Sequence, residues 1–349
     1  MEPPPALEAP PAAGRLRLRR WWYAAPIALF VYLFLVLATL LQPISVAGLS
    51  LAVPIPGVSS ATIFGLPNRP FTVLIVGLDV RPQQAGPSRT DTILLLRVDA
   101  GGNRAGIVSV PRDALMRVPV PGGGSIADRV NTAYVYNWSA DDAGQAPAAL
   151  AATIEANLGI QIDYYAVFDQ RGAADIIDAA GGVTVQVRVA FGQANYSDDD
   201  VNVIPQFFEE GKQHLDGYEA VAYGRIREGS TDFDRIRRQQ QVAEGLVGQL
   251  SSPASITKLP GIWRAYERAV DSDLGLRQSA GLFVLLKRIG SGRIVTRSLG
   301  DAAVSCRTCT AAILQLLPGE TARIIGEAFD DPAAGETAAA RLIAAGVTP

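Results

Sequence analysis

The feature that most limits how this chain can fold is an apolar run of 21 residues, none of them charged, from Trp21 to Leu41. At about 1.5 Å per residue, a helix of this length reaches roughly 31 Å, enough to cross the hydrocarbon core of a bilayer. Arginines precede the run, and Trp22 and Tyr23 stand where aromatic side chains favour the membrane interface. Because basic residues stay on the cytoplasmic side, the pattern predicts a single-pass anchor in the cell membrane. The N-terminus is then cytoplasmic and the rest of the chain extracellular.

A cleaved signal peptide is the alternative, since Ser45, Val46 and Ala47 form a small-residue cleavage site. The apolar run is longer than a usual signal-peptide core, which favours a retained anchor that places the chain in the lipid bilayer. The expected parts are a disordered N-terminus over 1–20, a transmembrane helix over 21–42, a stalk over 43–69, a globular domain over 70–317 and a loosely attached, Ala-rich helical tail over 318–349.

Net charge and composition restrict the partners of this chain. The formal net charge of −3 argues against a protein that coats nucleic acid, and so does a location outside the membrane. Apolar residues make up 48%, which is high for a soluble domain and agrees with a membrane segment. We therefore expect no nucleic-acid partner.

With two cysteines and one histidine, the chain has few residues for a zinc site or a Ser-His-Asp triad. Cys306 and Cys309 are three residues apart, and His214 is far away in sequence, so a Cys-rich zinc site is not expected. Outside the membrane, a redox centre is less expected for these cysteines than a short-loop disulfide or two free thiols. A Ser-His-Asp triad would have to use His214, whose sequence context is more typical of a turn.

The segments of the external domain alternate between strands and helices. Strands are predicted at Phe71–Val76, Thr92–Val98, Ala105–Val110, Tyr164–Phe168 and Val183–Val189. Helices are predicted at Ala146–Leu158, Arg171–Ala180 and Asp234–Leu250, with a helix or a strand-like run at Gly217–Tyr223 and further helices after Ile256. Strands and helices mixed on this spacing predict an α/β fold. The expected form is a three-layer α/β/α domain with a mixed central sheet, preceded by one N-terminal transmembrane helix.

Two aspartates stand at the ends of predicted strands. Asp79 follows the first strand directly, and Asp91 comes just before the second. Ligands of α/β sheets bind at strand ends, and Mg²⁺ prefers one or two carboxylates together with water and substrate phosphates. The pair suggests a magnesium site, although on spacing alone a turn-capping Asp and a strand-edge Asp is the simpler interpretation.

Arginines are concentrated in residues 224–241 and on one loop. In an acidic protein that stretch carries five arginines, where lysine would serve a solvated surface equally well. Arg112 follows Pro111 at the end of the third strand, and this rigid loop suits an anion ligand. The alternatives are a solvated charged face for the stretch and a surface ion pair of Arg112 with Asp113.

The spacing of the arginines indicates how they would face a ligand. Arg225 and Arg227 would share one side of an extended segment. Arg235, Arg238 and Gln239 would share one face in the first turns of a helix. Helix N-termini favour anions, and guanidinium groups match phosphate oxygens in two-point contacts, so the stretch predicts a diphosphate site.

Taken in order, these stretches resemble the LytR-CpsA-Psr (LCP) family of envelope proteins, well over about 70–250 and more weakly to about 317. The matching stretches are Val73–Arg81, Ser88–Thr92, Ser109–Asp113, Arg129–Tyr134, Asp178–Val183, Leu215–Ala220, Arg225–Arg227 and Asp232–Gln240. The sequence departs from the family pattern in a short segment between Arg227 and Asp232 and in an acidic insert over Phe191–Phe208.

The resemblance implies an α/β/α catalytic domain with a hydrophobic pocket for a polyprenyl chain. It also implies a phosphotransferase that moves a glycopolymer from a polyprenyl-pyrophosphate carrier onto peptidoglycan, with Mg²⁺ as cofactor. By position, Asp79 and Asp91 would bind the metal and act in catalysis together with Arg112. The pyrophosphate would be held by Arg112, Arg225, Arg227, Arg235 and Gln239, with Arg89 and Arg238 as supports.

Three functions remain open at the level of sequence. The first is direct phosphoryl transfer to a muramic-acid hydroxyl, with Asp91 or Asp113 as the general base. In the second, water replaces the acceptor and the protein is a lipid pyrophosphatase. The third is a non-enzymatic envelope protein of the transcriptional-attenuator type that binds polyprenyl phosphates.

Overall fold

The computed structural model describes residues 64–80, 88–142, 144–196, 204–226, 232–252, 254–306, 309 and 313–349. The predicted anchor over 21–42, the N-terminus before it and most of the stalk lie outside these residues, and so does Arg227. In the part of the chain that is described, no helix has the length and apolar character needed to span a bilayer.

Strands and helices alternate along the domain. The strands are β1 (Phe71–Leu78), β2 (Thr90–Val98), β3 (Ala105–Ser109), β4 (Leu115–Pro119), β5 (Ser125–Arg129), β6 (Tyr164–Asp169), β7 (Val183–Val187), β8 (Phe191–Gln193), β9 (Gln206–Phe208), β10 (Gly211–Leu215), β11 (Val270–Ser272), β12 (Ile294–Ser298), β13 (Ala303–Ser305) and β14 (Leu314–Leu316). The helices are α1 (Thr132–Tyr136), α2 (Gln145–Leu158), α3 (Gln170–Ala180), α4 (Gly217–Arg225), α5 (Asp232–Ser251), α6 (Ser255–Ala269), α7 (Leu276–Ile289), α8 (Pro318–Phe329) and α9 (Pro332–Ala345).

A mixed six-stranded sheet forms the centre, in the order β11-β6-β1-β2-β3-β12. Strand β1 is parallel to β6 and antiparallel to β2, and β2 is antiparallel to β3. The predicted mixed sheet and the β2–β3 hairpin are therefore confirmed. Because β1, β3 and β6 run in the same direction, all three end at the same edge of the sheet.

Alternating side chains of the sheet contribute to two cores, one on each face. Leu74 of β1 and Leu95 of β2 pack in one core with α2, α8 and α9. Val73 and Leu94, one residue away on the same strands, pack in the other core with α5 and α7. Since successive strand residues point to opposite faces, this arrangement gives helices on both sides of the sheet and hence three layers.

A third core lies beside the central sheet. It joins α3 and α4 to two small antiparallel pairs, β7 with β10 and β8 with β9. Helix α4 begins with a reciprocal cap, in which Asp216 accepts from the backbone of Glu219 and Glu219 accepts from the backbone of Asp216. Of the two alternatives predicted for Gly217–Tyr223, the helix is the one observed, because this cap satisfies its first free N–H groups.

The last helices are part of the main core, so the expectation of a loosely attached tail is wrong. Ile325 and Ala328 of α8 and Leu342 of α9 are completely buried. A Cβ atom at Gly106 of β3 would overlap the carbonyl oxygen of Ala328. Helix α8 therefore lies directly against the sheet, and small side chains allow this close contact instead of indicating a weak one.

Cys306 and Cys309 form a disulfide, one of the two states expected for them. The backbone N–H of Cys306 donates to the carbonyl oxygen of Ile313 at 2.9 Å. The N–H of the next residue, Leu314, donates to the carbonyl oxygen of Asp113, also at 2.9 Å. The disulfide is thereby connected, through the β13–β14 hairpin, to the loop that carries Arg112.

The packing of the last helices can be tested with two isoleucines. Ile325→Ala should lower the free energy of unfolding by about 2–5 kcal/mol, because it leaves a cavity in the main core. Ile343→Ala, at a position that is 61% exposed, should change it by no more than about 0.5 kcal/mol. Thermal unfolding of the full chain in detergent measures both, and equal effects would contradict the packing described.

Candidate active site

A cavity of about 840 Å³ lies on one face of the central sheet, beneath α3, α4 and α5. Its interior is apolar and includes Ile75, Leu94, Leu96, Ile107, Phe168, Ile176, Leu246 and Val247. Its polar lining includes Asp79, Arg89, Asp91, Arg112, Arg225, Arg235 and Gln239. Several of these polar residues stand at the sheet edge where β1, β3 and β6 end, so the cavity has an apolar body and a charged edge.

Asp91 reaches this edge through an irregularity in strand pairing. Gly77 is paired with Thr92, but Leu78 is paired with Thr90, so Asp91 is the extra residue of a β-bulge. Bulges redirect side chains and occur often beside active sites. The Asp91 carboxylate accepts a hydrogen bond from Arg112, and its second oxygen lies 3.7 Å from Nη1 of Arg235.

Asp79 is held at the same edge by Arg225 and Gln170, among other contacts. Its Oδ1 accepts from Nη2 of Arg225 at 3.1 Å and from Nε2 of Gln170 at 2.5 Å. Its backbone N–H donates to the carbonyl oxygen of Arg89 at 3.0 Å. The predicted metal carboxylates thus line one cavity, each of them beside arginine.

Ion pairs hold the Arg112 side chain in place. In addition to Asp91, the guanidinium contacts Asp113, with 3.4 Å between Nε and Oδ2. Asp113 is also 3.9 Å from Nη1 of Arg129. The predicted pair with Asp113 is present, and the same guanidinium lines the cavity. That Arg112 binds an anion stays a prediction.

Arg225 does not lie on an extended segment, so that prediction was wrong. It is the last residue of α4, and the chain leaves the helix only at Ile226, with φ −56° and ψ 130°. The capped start of α4 and its buried face favour helix over strand for this stretch. Arg225 also lies over the ring of Tyr196, with 6.0 Å between guanidinium carbon and ring centroid.

Helix α5 presents two of its three predicted residues to the cavity. Arg235 is only 2% exposed and lines the cavity together with Gln239. Nε2 of Gln239 donates to the carbonyl oxygen of Gly224 at 3.3 Å, which joins α5 to the end of α4. The two helices therefore fix the arginines at the cavity edge relative to one another.

Arg238 has a supporting position and does not line the cavity. Its guanidinium packs over the ring of Phe191 at 4.3 Å and donates to the carbonyl oxygen of Ile226. Burial lowers the pKa of Arg238. By bonding the residue that follows Arg225, Arg238 stabilises the end of α4, as the prediction of a support implies.

Arg89 is exposed at the cavity edge. Within the described ranges, no carboxylate lies within ion-pair distance of its guanidinium. Among the lining residues that the structure describes there are four arginines and three aspartates. The edge is therefore suited to an anion even though carboxylates are present.

The residues at the edge fit Mg²⁺ that is shared with a phosphate ligand. Asp79 and Asp91 supply the hard oxygen donors that Mg²⁺ prefers. The described part of the chain contains no cluster of three or more His, Cys, Asp or Glu side chains that could hold a metal. This donor set suits a cation completed by phosphate and water instead of a metal site built by protein alone.

Two contacts of the site were missed in the sequence. Gln170 follows β6 as Asp79 follows β1, and the two strands are parallel. Because ligands of α/β sheets bind at strand ends, the position of Gln170 after β6 could have identified it as a site residue. Tyr196, whose Oη lies 3.4 Å from Nη1 of Arg225, stands in the insert and carries no signal in the sequence. Asp198, Asp199 and Asp200, the acidic part of that insert, lie outside the described residues.

Comparison with known proteins finds teichoic acid transferases among the relatives of this chain. The chain is 35% identical over 210 residues to polyisoprenyl-teichoic acid–peptidoglycan teichoic acid transferase TagU of Halalkalibacterium halodurans, covering 59% of this chain and 62% of that protein. It is 30% identical over 207 residues to TagU of Bacillus subtilis strain 168, covering 59% and 60%. The matches thus span about 60% of the length of these curated relatives.

The fold also has a solved counterpart. The crystal structure of Bacillus subtilis TagV superposes with a TM-score of 0.60 at 25% sequence identity, covering 76% of this chain and 99% of that chain. The sequence model of the LytR_cpsA_psr family matches residues 56–316, which is well over half of the chain and includes every predicted site residue. The protein belongs to the LytR_cpsA_psr family.

Proposed function

We propose that this protein is a Mg²⁺-dependent phosphotransferase that moves a glycopolymer from a polyprenyl-pyrophosphate carrier onto peptidoglycan. The observation that carries the proposal is a single cavity with an apolar body and an arginine-rich edge. The names of the TagU relatives, which describe transfer of polyisoprenyl-linked teichoic acid to peptidoglycan, support the same reaction class.

The two parts of the cavity correspond to the two parts of a polyprenyl pyrophosphate. A long apolar chain gains free energy when it leaves water for an apolar interior, at about 25 cal/mol per Å². The diphosphate would then lie at the edge, against Arg112, Arg225 and Arg235. Arginine suits this role because its planar donor fork contacts two phosphate oxygens at once.

Three of the four remaining predicted residues extend this set of arginines, which is called the arginine clamp. Gln239 lines the cavity and donates hydrogen bonds, and Arg89 is accessible at the edge. Arg227, which lies outside the described residues, is proposed to join them. Arg238 acts through the end of α4 and not on the ligand.

Asp79 and Asp91 would hold Mg²⁺, which supplies neutralisation of the charge that develops on the diphosphate oxygens. Both carboxylates contact arginine, so the arginines that orient the carboxylates are also the ones proposed to face the anion. The fixed guanidinium groups stabilise the transition state because they need no reorganisation when charge builds up.

The transfer forms one phosphorus–oxygen bond and breaks another. A hydroxyl of the acceptor attacks the sugar-proximal phosphorus, and the bond from that phosphorus to the bridging oxygen breaks. Polyprenyl phosphate leaves with the bridging oxygen and its electron pair. A carboxylate beside Arg112, either Asp91 or Asp113, accepts the hydroxyl proton, and no covalent enzyme intermediate is needed.

The proposed location is the outer face of the cell membrane. The uncharged run over 21–42, with its arginine-rich flank, supports a single-pass helix with a cytoplasmic N-terminus. This topology places the domain where polyprenyl-linked glycan and peptidoglycan meet.

The arginine clamp is tested by truncation. Arg112→Ala and Arg235→Ala should each lower transfer by at least about a hundredfold, because each removes a preorganised partner of the diphosphate. Arg323→Ala, at an exposed ion pair on α8, is the matched control and should remain near normal. Mass spectrometry of products from a polyprenyl-pyrophosphate glycan, Mg²⁺ and peptidoglycan fragments measures the transfer.

Because Arg235 is buried, its variants need a folding control. Arg235→Lys retains the charge but loses the two-point contact, and it should fold with an unchanged thermal midpoint while remaining impaired. Near-normal turnover in both Arg112→Ala and Arg235→Ala would refute the clamp.

The metal site is tested through the dependence of activity on Mg²⁺. Chelation should abolish transfer, and Asp79→Asn should raise the Mg²⁺ concentration for half-maximal activity at least about tenfold, because it removes one anionic ligand. Glu320→Gln, on the surface of α8, should leave that concentration unchanged. Full turnover in the presence of a chelator would contradict metal dependence.

The same assay separates the other candidate functions. A pyrophosphatase would release phosphorylated glycan as the sole product even when acceptor is present. A regulatory lipid-binding protein would bind the polyprenyl pyrophosphate tightly with no Mg²⁺-dependent turnover. Product that is joined to peptidoglycan fragments supports the transferase.

A further inference from the structure

A chain of charged contacts leads from the cavity edge to the protein surface. Arg112 contacts Asp113 at 3.4 Å, Asp113 lies 3.9 Å from Arg129, and Arg129 lies 4.0 Å from Asp128. The hydroxyl of Tyr136 donates to Asp128 at 2.6 Å. These residues connect the candidate site with the β4–β5 hairpin and α1, which follow the Arg112 loop directly in sequence.

Large apolar side chains are exposed where this chain of contacts reaches the surface. Tyr136 is 38% exposed, Trp138 is 43% exposed, and Ile126 of β5 is 42% exposed. The backbone that presents the two aromatic rings is fixed by Asn137, whose side chain donates to the carbonyl oxygens of Pro119 and Ala133 at 3.0 and 2.9 Å. Aromatic rings on a fixed backbone are preorganised for binding, since they lose little conformational entropy when a ligand packs on them.

Arg129, which shares the partner Asp128 with Tyr136, has N–H groups that can donate to a ligand. Its contacts with Asp113 and Asp128 are 3.9 and 4.0 Å long, beyond hydrogen-bond distance. A guanidinium carries five N–H donors, so an incoming ligand with hydroxyl or carboxylate oxygens can be bound without breaking a close bond. The surface therefore combines aromatic rings with an arginine and a carboxylate.

This combination matches a saccharide. One face of a pyranose ring presents C–H groups that pack on aromatic rings, while its hydroxyl and amide groups form hydrogen bonds with charged side chains. Muramic-acid residues add carboxylates, which Arg129 suits.

The direction of the proposed reaction indicates which saccharide lies there. In phosphoryl transfer the attacking and leaving oxygens are roughly in line. The leaving polyprenyl phosphate points into the apolar body, so the acceptor hydroxyl must approach from outside the charged edge. It must also come within reach of a carboxylate base. Both candidates, Asp91 and Asp113, contact Arg112, and Asp113 also lies 3.9 Å from Arg129 of this surface.

We propose that Asp128, Arg129, Tyr136 and Trp138 form an acceptor surface that binds the glycan strand of peptidoglycan. This inference rests on the proposed transferase function and names the place where its acceptor binds. The surface holds the sugar rings on Tyr136 and Trp138, and it directs one hydroxyl along the Arg129–Asp113 side toward the diphosphate.

The test uses the full chain in detergent and a soluble tetrasaccharide of alternating N-acetylglucosamine and N-acetylmuramic acid. Trp138→Ala should weaken binding of this tetrasaccharide about tenfold in calorimetry and raise the acceptor KM by a similar factor. The donor KM and kcat should remain unchanged. Phe207→Ala removes a more exposed aromatic ring, on β9, and should leave both measurements unaltered.

Tyr136→Phe provides a second variant that retains the ring but loses the hydrogen bond to Asp128. It should bind the tetrasaccharide more tightly than Tyr136→Ala, because ring stacking persists, and both should unfold at the wild-type temperature. Normal acceptor affinity in Trp138→Ala and Tyr136→Ala would overturn the proposal. A rise in the donor KM alone would also overturn it, because the surface would then hold the donor glycan.

Calorimetry keeps this inference separable from the transferase proposal. If wild-type protein gives no transfer product but binds the tetrasaccharide through Trp138, the acceptor surface stands and the transferase function fails. If wild-type protein transfers glycan normally and does not depend on Tyr136 or Trp138, the surface is wrong and the function stands. Absence of tetrasaccharide binding to the wild type overturns the surface.

Discussion

The site depends on guanidinium groups that remain charged at the border of an apolar cavity. Removing an arginine from water is costly unless an opposite charge and hydrogen bonds compensate, and Arg235 is almost completely buried. Asp91 provides that compensation for Arg235 and Arg112 together, and Asp79 does so for Arg225. Because these aspartates come from strand ends and the arginines from a loop and two helices, the ion pairs also connect the sheet to α4 and α5.

Much of this architecture could be predicted from the sequence. The strands β1, β2, β3, β6 and β7 could be predicted because each coincides with an apolar run in the sequence. The bulge at Asp91 could not be predicted, because it depends on the pairing of β1 with β2 and not on either strand alone. Arg225 was placed on an extended segment because a two-residue spacing does not distinguish a strand from the end of a helix. Strands β11 to β14 were missed since segments of three to five residues carry little periodicity.

The Ala-rich end of the chain shows a different limit of sequence reasoning. Alanine and glycine contribute little apolar area per residue, which suggested weak attachment. In the structure the same small residues let α8 approach β3 and let α9 approach α8, where Gly335 lies against the carbonyl oxygen of Ala322. Close backbone contact thus replaces large side chains as the source of packing. Arg238 shows that a charged residue within a motif can have a structural role, since it donates to the carbonyl oxygen of Ile226 at the end of α4.

The disulfide has a consequence that reaches beyond its own loop. Cys306 and Cys309 close a hairpin whose second strand is hydrogen-bonded to the backbone of Asp113, beside Arg112. Reduction of the disulfide can therefore alter the Arg112 loop through these main-chain hydrogen bonds, although neither sulfur atom lines the cavity. A thiol reductant added to the buffer acts on a disulfide that lies outside the cavity but is connected to the Arg112 loop, so preparations with and without it are different forms of the protein.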